Sequence, residues 1–412
     1  MALVDYEHAL GRVLERIRAL TGTTKLQVAP LDAVGLVAAS DVTAGDPVPP
    51  FDNSAVDGFA VRAADVTSAP VDLEVVATVA AGTDPGVELA AGECARIMTG
   101  AVVPHGADAV VMVEDTELVD EAGPGTPRRV RVKRSAVAGD HVRPLGDDLP
   151  AGAVGIPAGT ELRPAHVGLL ATLGRTRVEV RAAPRVGVLS TGDELVEPGR
   201  RIGPGQIRDS NRQMLLSLCT AAGFDPVDLG LVADEEAAIE RVLQQGASRC
   251  DALITSGGVS MGDFDYVKAV LGRIADMDWM QVAIKPAKPF AFGTIGRTPV
   301  FGLPGNPVSS LVSFELFARP GLRMLSGHTC TRRVPVTAVA GEDLRRRRDG
   351  KVHFVRVWLT NEDGTLLART TGGQGSHQLA ASAAAQGLAV VPDGEGLGRG
   401  SRVEVLLLDP AP

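Results

Sequence analysis

The chain has 412 residues, of which 45% are hydrophobic and 3% aromatic, and its formal net charge is −9. This length predicts roughly two to four domains, with cores built mainly from aliphatic side chains. The negative charge argues against nucleic acid and anionic membranes as general partners, because both need a positive surface. The four cysteines are far apart and form no C-x-x-C pair, which argues against a zinc ribbon or a disulfide scaffold.

The first 180 residues change character twice. Residues 1–50 open with a helical stripe from Tyr6 to Leu20 and continue into a segment broken by proline and glycine. The acidic Asp5 and Glu7 make this start unlike a signal peptide or a membrane span, so we expect a cytoplasmic protein. Short β-like runs predict an inserted β-rich module over 51–141. Residues 142–180 predict a connector that packs with the first helix and its linker and completes an N-terminal domain.

The second half of the chain predicts one α/β domain and one β domain. From 181 to 327 buried strands alternate with helices, which is typical of a doubly wound domain with parallel strands. Near its end, Asn306 is expected to cap a helix, Pro307 to lie in its first turn and Pro320 to end it. Short strands separated by turns over 328–412 predict a C-terminal β-barrel. The expected fold class is therefore multidomain, α/β plus β, with a central doubly wound α/β domain.

The loops that follow the predicted strands are the first candidates for a site, because ligands bind beyond the carboxyl ends of strands in open α/β sheets. Three of these loops bring carboxylates to one edge of the sheet, and two bring glycine-rich backbone. Carboxylates and phosphate-binding backbone coexist readily if a divalent cation such as Mg²⁺ bridges them. The carboxylates are those of Glu194, Asp234, Asp263 and Asp265, the backbone donors are Gly257, Gly258, Gly305 and Asn306, and Lys285 and Lys288 follow a nearby turn.

Simpler explanations exist for the same loops. Asp234 could serve only as a helix cap, and the glycines could serve only as turns after strands. A G-x-S-x-G pattern over 258–262 suggests a serine hydrolase, with Ser260 as nucleophile and His353 or His377 as base. Ser260, however, lies beyond two glycines and before an acidic loop, unlike a nucleophile at a sharp turn between strand and helix. The hydrolase is therefore the minor alternative.

Outside the α/β region, four features need an interpretation. Asp57 and the glycine after it fit a hairpin turn, and Thr99 with its following glycine fits the end of a strand. The basic run Arg345–Arg348 is interpreted as a solvated turn before a strand. Arg356 lies in an otherwise apolar strand, where it either occupies the outward face or has a function.

Six segments in this order resemble the MoeA family of molybdopterin molybdenumtransferases, which is similar to the C-terminal domain of gephyrin. They are DNSAVDGFAV, RIMTGAVVPHGADAVVMVED, STGDEL, SGGVSMGDFD, IKPAKPFAFG and GLPGNPVSS, and the resemblance covers nearly the whole chain. It implies a transferase of molybdenum cofactor biosynthesis that inserts molybdate into adenylylated molybdopterin and releases AMP. The implied cofactor is Mg²⁺, with Zn²⁺ as a second candidate. The implied assembly is a homodimer whose subunits share the site, with contacts to the molybdopterin adenylyltransferase and to recipient molybdoenzymes.

The resemblance also implies roles for individual residues. Glu194, Asp234 and Asp265 are expected to hold the metal, and Arg356 with Ser376 to line a molybdate site, where an arginine fork suits a tetrahedral dianion. Those three acids are also expected to be catalytic, together with Asp57 and Thr99. The expected substrate-binding residues are Gly257, Gly258, Lys285, Lys288, Gly305, Asn306, Ser309, Arg356 and Ser376.

Three positions depart from the family pattern. Gln281 stands where some members have a lysine, so phosphate binding is expected to depend more on Lys285 and Lys288. Ala287 replaces a usual glycine, and Val102 replaces a usual proline. A scaffolding paralogue that binds molybdopterin without turnover, and adenylyl transfer, are the alternatives within the same fold. The sequence does not distinguish molybdate from tungstate, and it assigns no role to Asp263.

Overall fold

The computed structural model describes residues 3–20, 22–123, 126–259 and 266–408. The predicted Ser260, Asp263 and Asp265 lie outside these residues. None of the helices in the described ranges is long and apolar enough to cross a membrane.

The first helix, Tyr6–Arg18, begins at Asp5, whose side chain accepts from the backbone N–H groups of Glu7 and His8 at 2.9 and 3.2 Å. Its buried face lies in one core with Phe290 and Phe317 of the α/β region. The buried face of the helix thus lies in the α/β core, and the division into an N-terminal domain of 1–50 with 142–180 stays a prediction. The α/β region offers a large apolar surface, whereas the connector pairs its strands with the chain after the helix. The buried residues of the helix are Ala9, Leu10, Val13 and Ile17.

The remainder of the N-terminal region forms small sheets. Strand Val178–Arg181 lies between Lys25–Val28 and Val37–Ala38, antiparallel to both. Helix Pro164–Thr172 contributes Leu170 to the core beneath this sheet. Two further antiparallel pairs involve the connector. Val154–Ile156 pairs with Val42–Thr43 of the linker, and Val142–Arg143 pairs with Asn53–Ser54 at the start of the inserted module.

The inserted module is one six-stranded sheet, as the β-rich pattern predicts. Its neighbouring strands are antiparallel except Val71–Val79 and Glu93–Ile97, which are parallel. Phe59 and Val61 belong to one apolar cluster and the intervening Ala60 to another, so both faces of the sheet are covered. In spatial order the strands are Ala109–Met112, Gly58–Val61, Glu93–Ile97, Val71–Val79, Thr126–Val132 and Thr116–Gly123.

The α/β domain contains a six-stranded sheet that is mixed rather than wholly parallel. Four strands run parallel in the order Asp225–Val232, Arg185–Thr191, Ala252–Ser256 and Thr298–Leu303. Pro289–Ile295 and Asp276–Gln281 extend one edge in antiparallel fashion. Helices Asn211–Ala221, Glu236–Arg249 and Tyr266–Ile274 cover the faces, because the strands carry aliphatic side chains on both sides.

A long helical segment follows the last parallel strand. Helix Pro307–Ser313 continues through a π-helical turn, Phe314–Ala318, into helix Arg319–Leu325. The prediction that Pro320 ends the helix is wrong. The π-helical turn changes the hydrogen-bond register, so Pro320 lies in the first turn of the next segment, where no N–H donor is required.

The C-terminal region closes into a five-stranded barrel, as predicted. Its strands follow in the order Val352–Glu362, Thr365–Thr370, Pro335–Ala340, Arg402–Leu407 and Gly387–Val391, and the last pairs with the first. The two-residue strand Ile284–Lys285 of the α/β region adds in parallel to Val352 and His353. The barrel is thereby joined to the α/β domain at the edge where the predicted lysines lie.

Candidate active site

Two adjoining clefts lie where the α/β domain meets the barrel. The first, of about 510 Å³, we call the acidic cleft; its lining includes Glu194, Asp209, Asp234, Gly257, Gly258 and Gly305. The second, of about 860 Å³, we call the basic cleft; its lining includes Lys285, Lys288, Arg345, Arg346, Arg347 and Lys351. Both clefts use the start of helix Pro307–Ser313 and the loop that carries Ser376 and His377. The structure thus places many of the predicted site residues in two neighbouring groups.

The glycines of the acidic cleft are required by the local backbone. Gly257 and Gly258 have φ of +95° and +75°, in the left-handed region that favours glycine. A Cβ on Gly258 would lie 2.2 Å from the Cβ of Val267, which is too close for any other residue. The N–H of Gly257 donates to the carbonyl of Leu303 at 3.0 Å and is therefore not free to bind a phosphate. Gly257 instead allows the turn of the loop.

The carboxylates of Glu194 and Asp234 line the same cleft, as the position of the strand ends predicts. The Asp193 side chain accepts from the backbone N–H of Asp234 at 3.1 Å and ties the two loops together. Their oxygen donors suit Mg²⁺, whereas Zn²⁺ prefers nitrogen and sulfur ligands, of which the lining supplies His377. No group of three metal-binding side chains occurs within the described ranges, and Asp265 lies outside them. The three-carboxylate metal site therefore stays a prediction.

Sequence reasoning missed a buried ionic network behind the acidic cleft. The Arg212 guanidinium bonds to Asp209, Asp228 and Glu197, and its side chain is only 3% exposed. Burial lowers the pKa of Arg212, but hydrogen bonds with Asp228 and Asp209 outweigh it and raise that pKa above the usual value. Asp209 also accepts from the Ser190 hydroxyl at 3.1 Å. The signal in the sequence was the Asp-Ser-Asn run before a helix, which resembles an ordinary helix cap.

Asn211 connects the two glycine loops. Its Nδ2 group donates to the Ser256 hydroxyl at 2.8 Å and to the Gly305 carbonyl at 2.6 Å. Its Oδ1 is buried and has no hydrogen-bond partner in the described chain. Asn306 occupies the position before the next helix, but its side chain makes no capping bond. The N–H of Val308 instead donates to the Ser376 carbonyl at 3.1 Å, so the barrel loop caps the helix.

The basic cleft contains the predicted Lys285, Lys288, Ser309 and Ser376. Six Lys and Arg side chains line it against the two carboxylates of Asp343 and Asp349. Burial by itself would raise the pKa of Asp349, but hydrogen bonds from His353 and Lys351 lower it to about 2. The cleft is therefore positive although the whole chain is acidic.

Ala287, beside this cleft, has φ of +73°, so an L-residue occupies a left-handed position. This conformation gives a physical reason for the glycine expected there. Gln281 ends strand Asp276–Gln281 and is not part of the basic cleft lining.

Arg356 is buried and is held by the barrel's own loop. Its side chain points inward, so the outward-face alternative is wrong, and the residue is only 1% exposed. The guanidinium donates to the carbonyls of Gly373, Gly375 and Gln378 at 2.8 to 3.3 Å. Arg356 is not part of the lining of either cleft. It therefore supports the loop that presents Ser376.

The basic run 345–348 is not simply a solvated turn. The Arg346 side chain is 2% exposed, pairs with Asp349 and Asp393, and donates to the carbonyls of Lys351 and Val391. Arg347 and Arg348 are exposed. Arg346 therefore has a structural role, while the other three arginines of the run are exposed.

Asp57 and Thr99 contact each other in the inserted module. The Asp57 carboxylate accepts from the Thr99 N–H at 2.7 Å and from its hydroxyl at 2.8 Å, and these bonds lower the pKa of Asp57. The hairpin explanation is wrong, because the strands on either side of Asp57 do not pair with each other. Asn53–Ser54 pairs with Val142–Arg143, whereas Gly58–Val61 pairs with Glu93–Ile97 and Ala109–Met112. In the described part of this module, no residue lines either cleft of the same chain.

Comparison with known families accounts for nearly the whole chain. Residues 4–174 match the MoeA N-terminal region (domain I and II), residues 187–324 a probable molybdopterin binding domain, and residues 337–408 the MoeA C-terminal region (domain IV). A crystal structure of a molybdopterin biosynthesis MoeA protein from Pyrococcus horikoshii superposes with a TM-score of 0.83 at 29% identity, covering 98% of this chain and 100% of that one.

Curated relatives agree with these matches. The molybdopterin molybdenumtransferase of Haemophilus influenzae is 37% identical over 381 residues, which cover 92% of each chain. Molybdopterin molybdenumtransferase 2 of Mycobacterium tuberculosis is 39% identical over 399 residues, covering 94% of this chain and 95% of the relative. On the strength of these matches, and of the MoeA regions found at both ends, the chain belongs to the MoeA family.

Proposed function

We propose that this chain is a transferase of molybdenum cofactor biosynthesis, which inserts molybdate into adenylylated molybdopterin and releases AMP. The observation that carries the proposal is the pair of adjoining clefts with opposite charge, which share the start of helix Pro307–Ser313. The acidic cleft suits a nucleotide phosphate with its metal, and the basic cleft suits an oxyanion. The names of the curated relatives support the same activity.

In the acidic cleft, the backbone of Gly258, Gly305 and Asn306 would approach the pyrophosphate. Glu194 and Asp234, with Asp265 from outside the described residues, would hold Mg²⁺. The bound ion would neutralise charge on the phosphoanhydride as AMP leaves. The Arg212 network keeps the Asp209 carboxylate hydrogen-bonded beside this site.

In the basic cleft, Lys285 and Lys288 would attract molybdate, and Ser309 and Ser376 would orient it toward the dithiolene sulfurs of molybdopterin, which would bind the metal. Arg356 would hold the Ser376 loop in place rather than bind molybdate itself, because carbonyls already occupy its donors. The expected direct contact between Arg356 and molybdate is therefore replaced by a positioning role in this proposal.

We also propose a cytoplasmic homodimer in which the inserted module of each subunit reaches the partner's clefts. This arrangement would give the Asp57 and Thr99 pair a place in a site that it does not line within its own chain. Contacts with the molybdopterin adenylyltransferase and with recipient molybdoenzymes belong to the same proposal.

The decisive experiment measures AMP release by the purified full chain. AMP is expected only when adenylylated molybdopterin, molybdate and Mg²⁺ are all present, and the product should activate an apo molybdoenzyme at low molybdate. Omitting each component in turn provides the controls. Tight binding of adenylylated molybdopterin without AMP release would instead identify a scaffolding paralogue, and AMP transfer from ATP to molybdopterin would identify an adenylyltransferase.

A further inference from the structure

The cations of the basic cleft divide into paired and unpaired groups. Arg346 and Lys351 both pair with Asp349, and Arg345 pairs with Asp343 at 2.9 Å. The two carboxylates that line the cleft are therefore already engaged. We call the three remaining cations, Lys285, Lys288 and Arg347, the cationic rim.

Nothing neutralises the rim within the part of the chain that the structure describes. The charged groups of Lys285, Lys288 and Arg347 make no ion pair or hydrogen bond with described residues. Burial lowers the pKa of His353, and the charges of Arg346 and Lys285 add to this shift, while the hydrogen bond with Asp349 opposes it without reversing it. The whole chain has a net charge of −9, so a group of unneutralised cations around one cleft gives a local positive potential. Such a potential attracts small anions.

The position of Arg347 is fixed by its neighbour. Arg346 is buried, and its guanidinium donates to the carbonyls of Lys351, Val391 and Pro392. These bonds tie the loop to the barrel at Arg346, and the next residue, Arg347, lines the cleft. Arg348 is also exposed but is not part of the cleft lining.

We propose that Arg347 is a further oxyanion-binding residue, which captures a tetrahedral dianion together with Lys285 and Lys288 and passes it to Ser309 and Ser376. The guanidinium fork suits this task, because it matches two oxygens of a tetrahedral oxyanion at once. A cleft of about 860 Å³ is many times larger than one such ion. A cation at its rim would hold the ion before it reaches the two serines. The identity of the dianion as molybdate rests on the proposed function.

The test compares Arg347→Gln with the matched control Arg348→Gln in the full chain. Arg347→Gln is expected to raise the KM for molybdate about three- to tenfold, mainly through lost binding. It should also flatten the salt dependence of KM, because an exposed charge is screened by salt. Arg348→Gln should change both quantities much less. Equal shifts in the two variants, or a fall in kcat with unchanged KM, would overturn the inference.

Direct binding separates this inference from the proposed function. Equilibrium dialysis with molybdate alone, and with sulfate as competitor, requires no turnover. If Arg347→Gln binds molybdate more weakly than wild type, the role of Arg347 is supported. If the wild-type protein at the same time releases no AMP, the proposed reaction is contradicted. Equal molybdate binding by wild type and Arg347→Gln, with normal AMP release, would contradict the rim and leave the reaction intact. Matching thermal unfolding curves would show that each variant is folded.

Discussion

The acidic and basic clefts adjoin each other, yet the cationic rim of the basic cleft differs from the paired charges behind the acidic one. Behind the acidic cleft, both oxygens of Asp209 are engaged by Ser190 and Arg212, and Asn211 connects the two glycine loops. At the basic cleft, Lys285 and Arg347 of the rim have no such partners among the described residues. A site for a metal and phosphates needs fixed geometry, whereas a site that collects a diffusing anion needs unneutralised charge.

The largest expected effect on activity comes from removing a carboxylate from the acidic cleft. Asp234→Asn keeps the shape of the side chain but removes its charge, and AMP release should fall at least about 100-fold, since even indirect supports of metal ligands cost 10- to 100-fold. The adjacent Glu235→Gln is the control, because Glu235 is exposed and lies outside the cleft lining, and it should stay within about twofold of wild type. Retention of most activity by Asp234→Asn would remove Asp234 from the site.

A substitution of Arg356 distinguishes support of the barrel loop from direct binding of molybdate. Arg356→Lys keeps the charge but cannot reach the carbonyls of Gly373, Gly375 and Gln378 together, so the free energy of unfolding should fall by about 3 kcal/mol. Denaturant unfolding measures this change, with Arg402→Lys on an exposed strand position as control. A higher KM for molybdate at unchanged stability would restore the direct role expected from the sequence.

Asn211 tests whether the acidic cleft depends on its hydrogen bonds. Asn211→Ala removes the link between Ser256 and Gly305, and the free energy of unfolding should fall by about 2 kcal/mol. Affinity for AMP, measured by calorimetry, should weaken at the same time because both glycine loops lose their support. Gln213→Ala on the exposed face of the same helix should leave AMP affinity unchanged. Unchanged AMP affinity in Asn211→Ala would show that the loops hold their shape without the link.

The smallest expected effect concerns the backbone beside the basic cleft. Ala287→Gly relieves a left-handed conformation at φ +73°, worth about 1–2 kcal/mol, but loses a buried methyl group worth about 0.8 kcal/mol. Ala291→Gly loses a buried methyl within strand Pro289–Ile295 without that relief. Ala287→Gly should therefore be more stable than Ala291→Gly by about 1–2 kcal/mol in denaturant unfolding. Equal losses would mean that Ala287 is not strained.

The sequence predicts the convergence of Glu194 and Asp234 because parallel strands end at one edge of a sheet. It does not predict the burial of Arg356, because alternation along a strand leaves both faces available to an isolated arginine. The antiparallel edge strand Asp276–Gln281 was missed for another reason. Its acids reduce the apolar signal, and Arg12 and Arg16 of the first helix pair with them only in the folded chain.

The bond from Val308 to the Ser376 carbonyl bears on how domains of this family can be exchanged. That bond completes a helix of one domain with backbone from another, and strand Ile284–Lys285 crosses the same boundary to pair with the barrel. A chimera that replaces the barrel alone would leave an open helix end and an unpaired strand beside the two clefts. We therefore expect a domain exchange to preserve the two clefts only when the α/β domain and the barrel are transferred together.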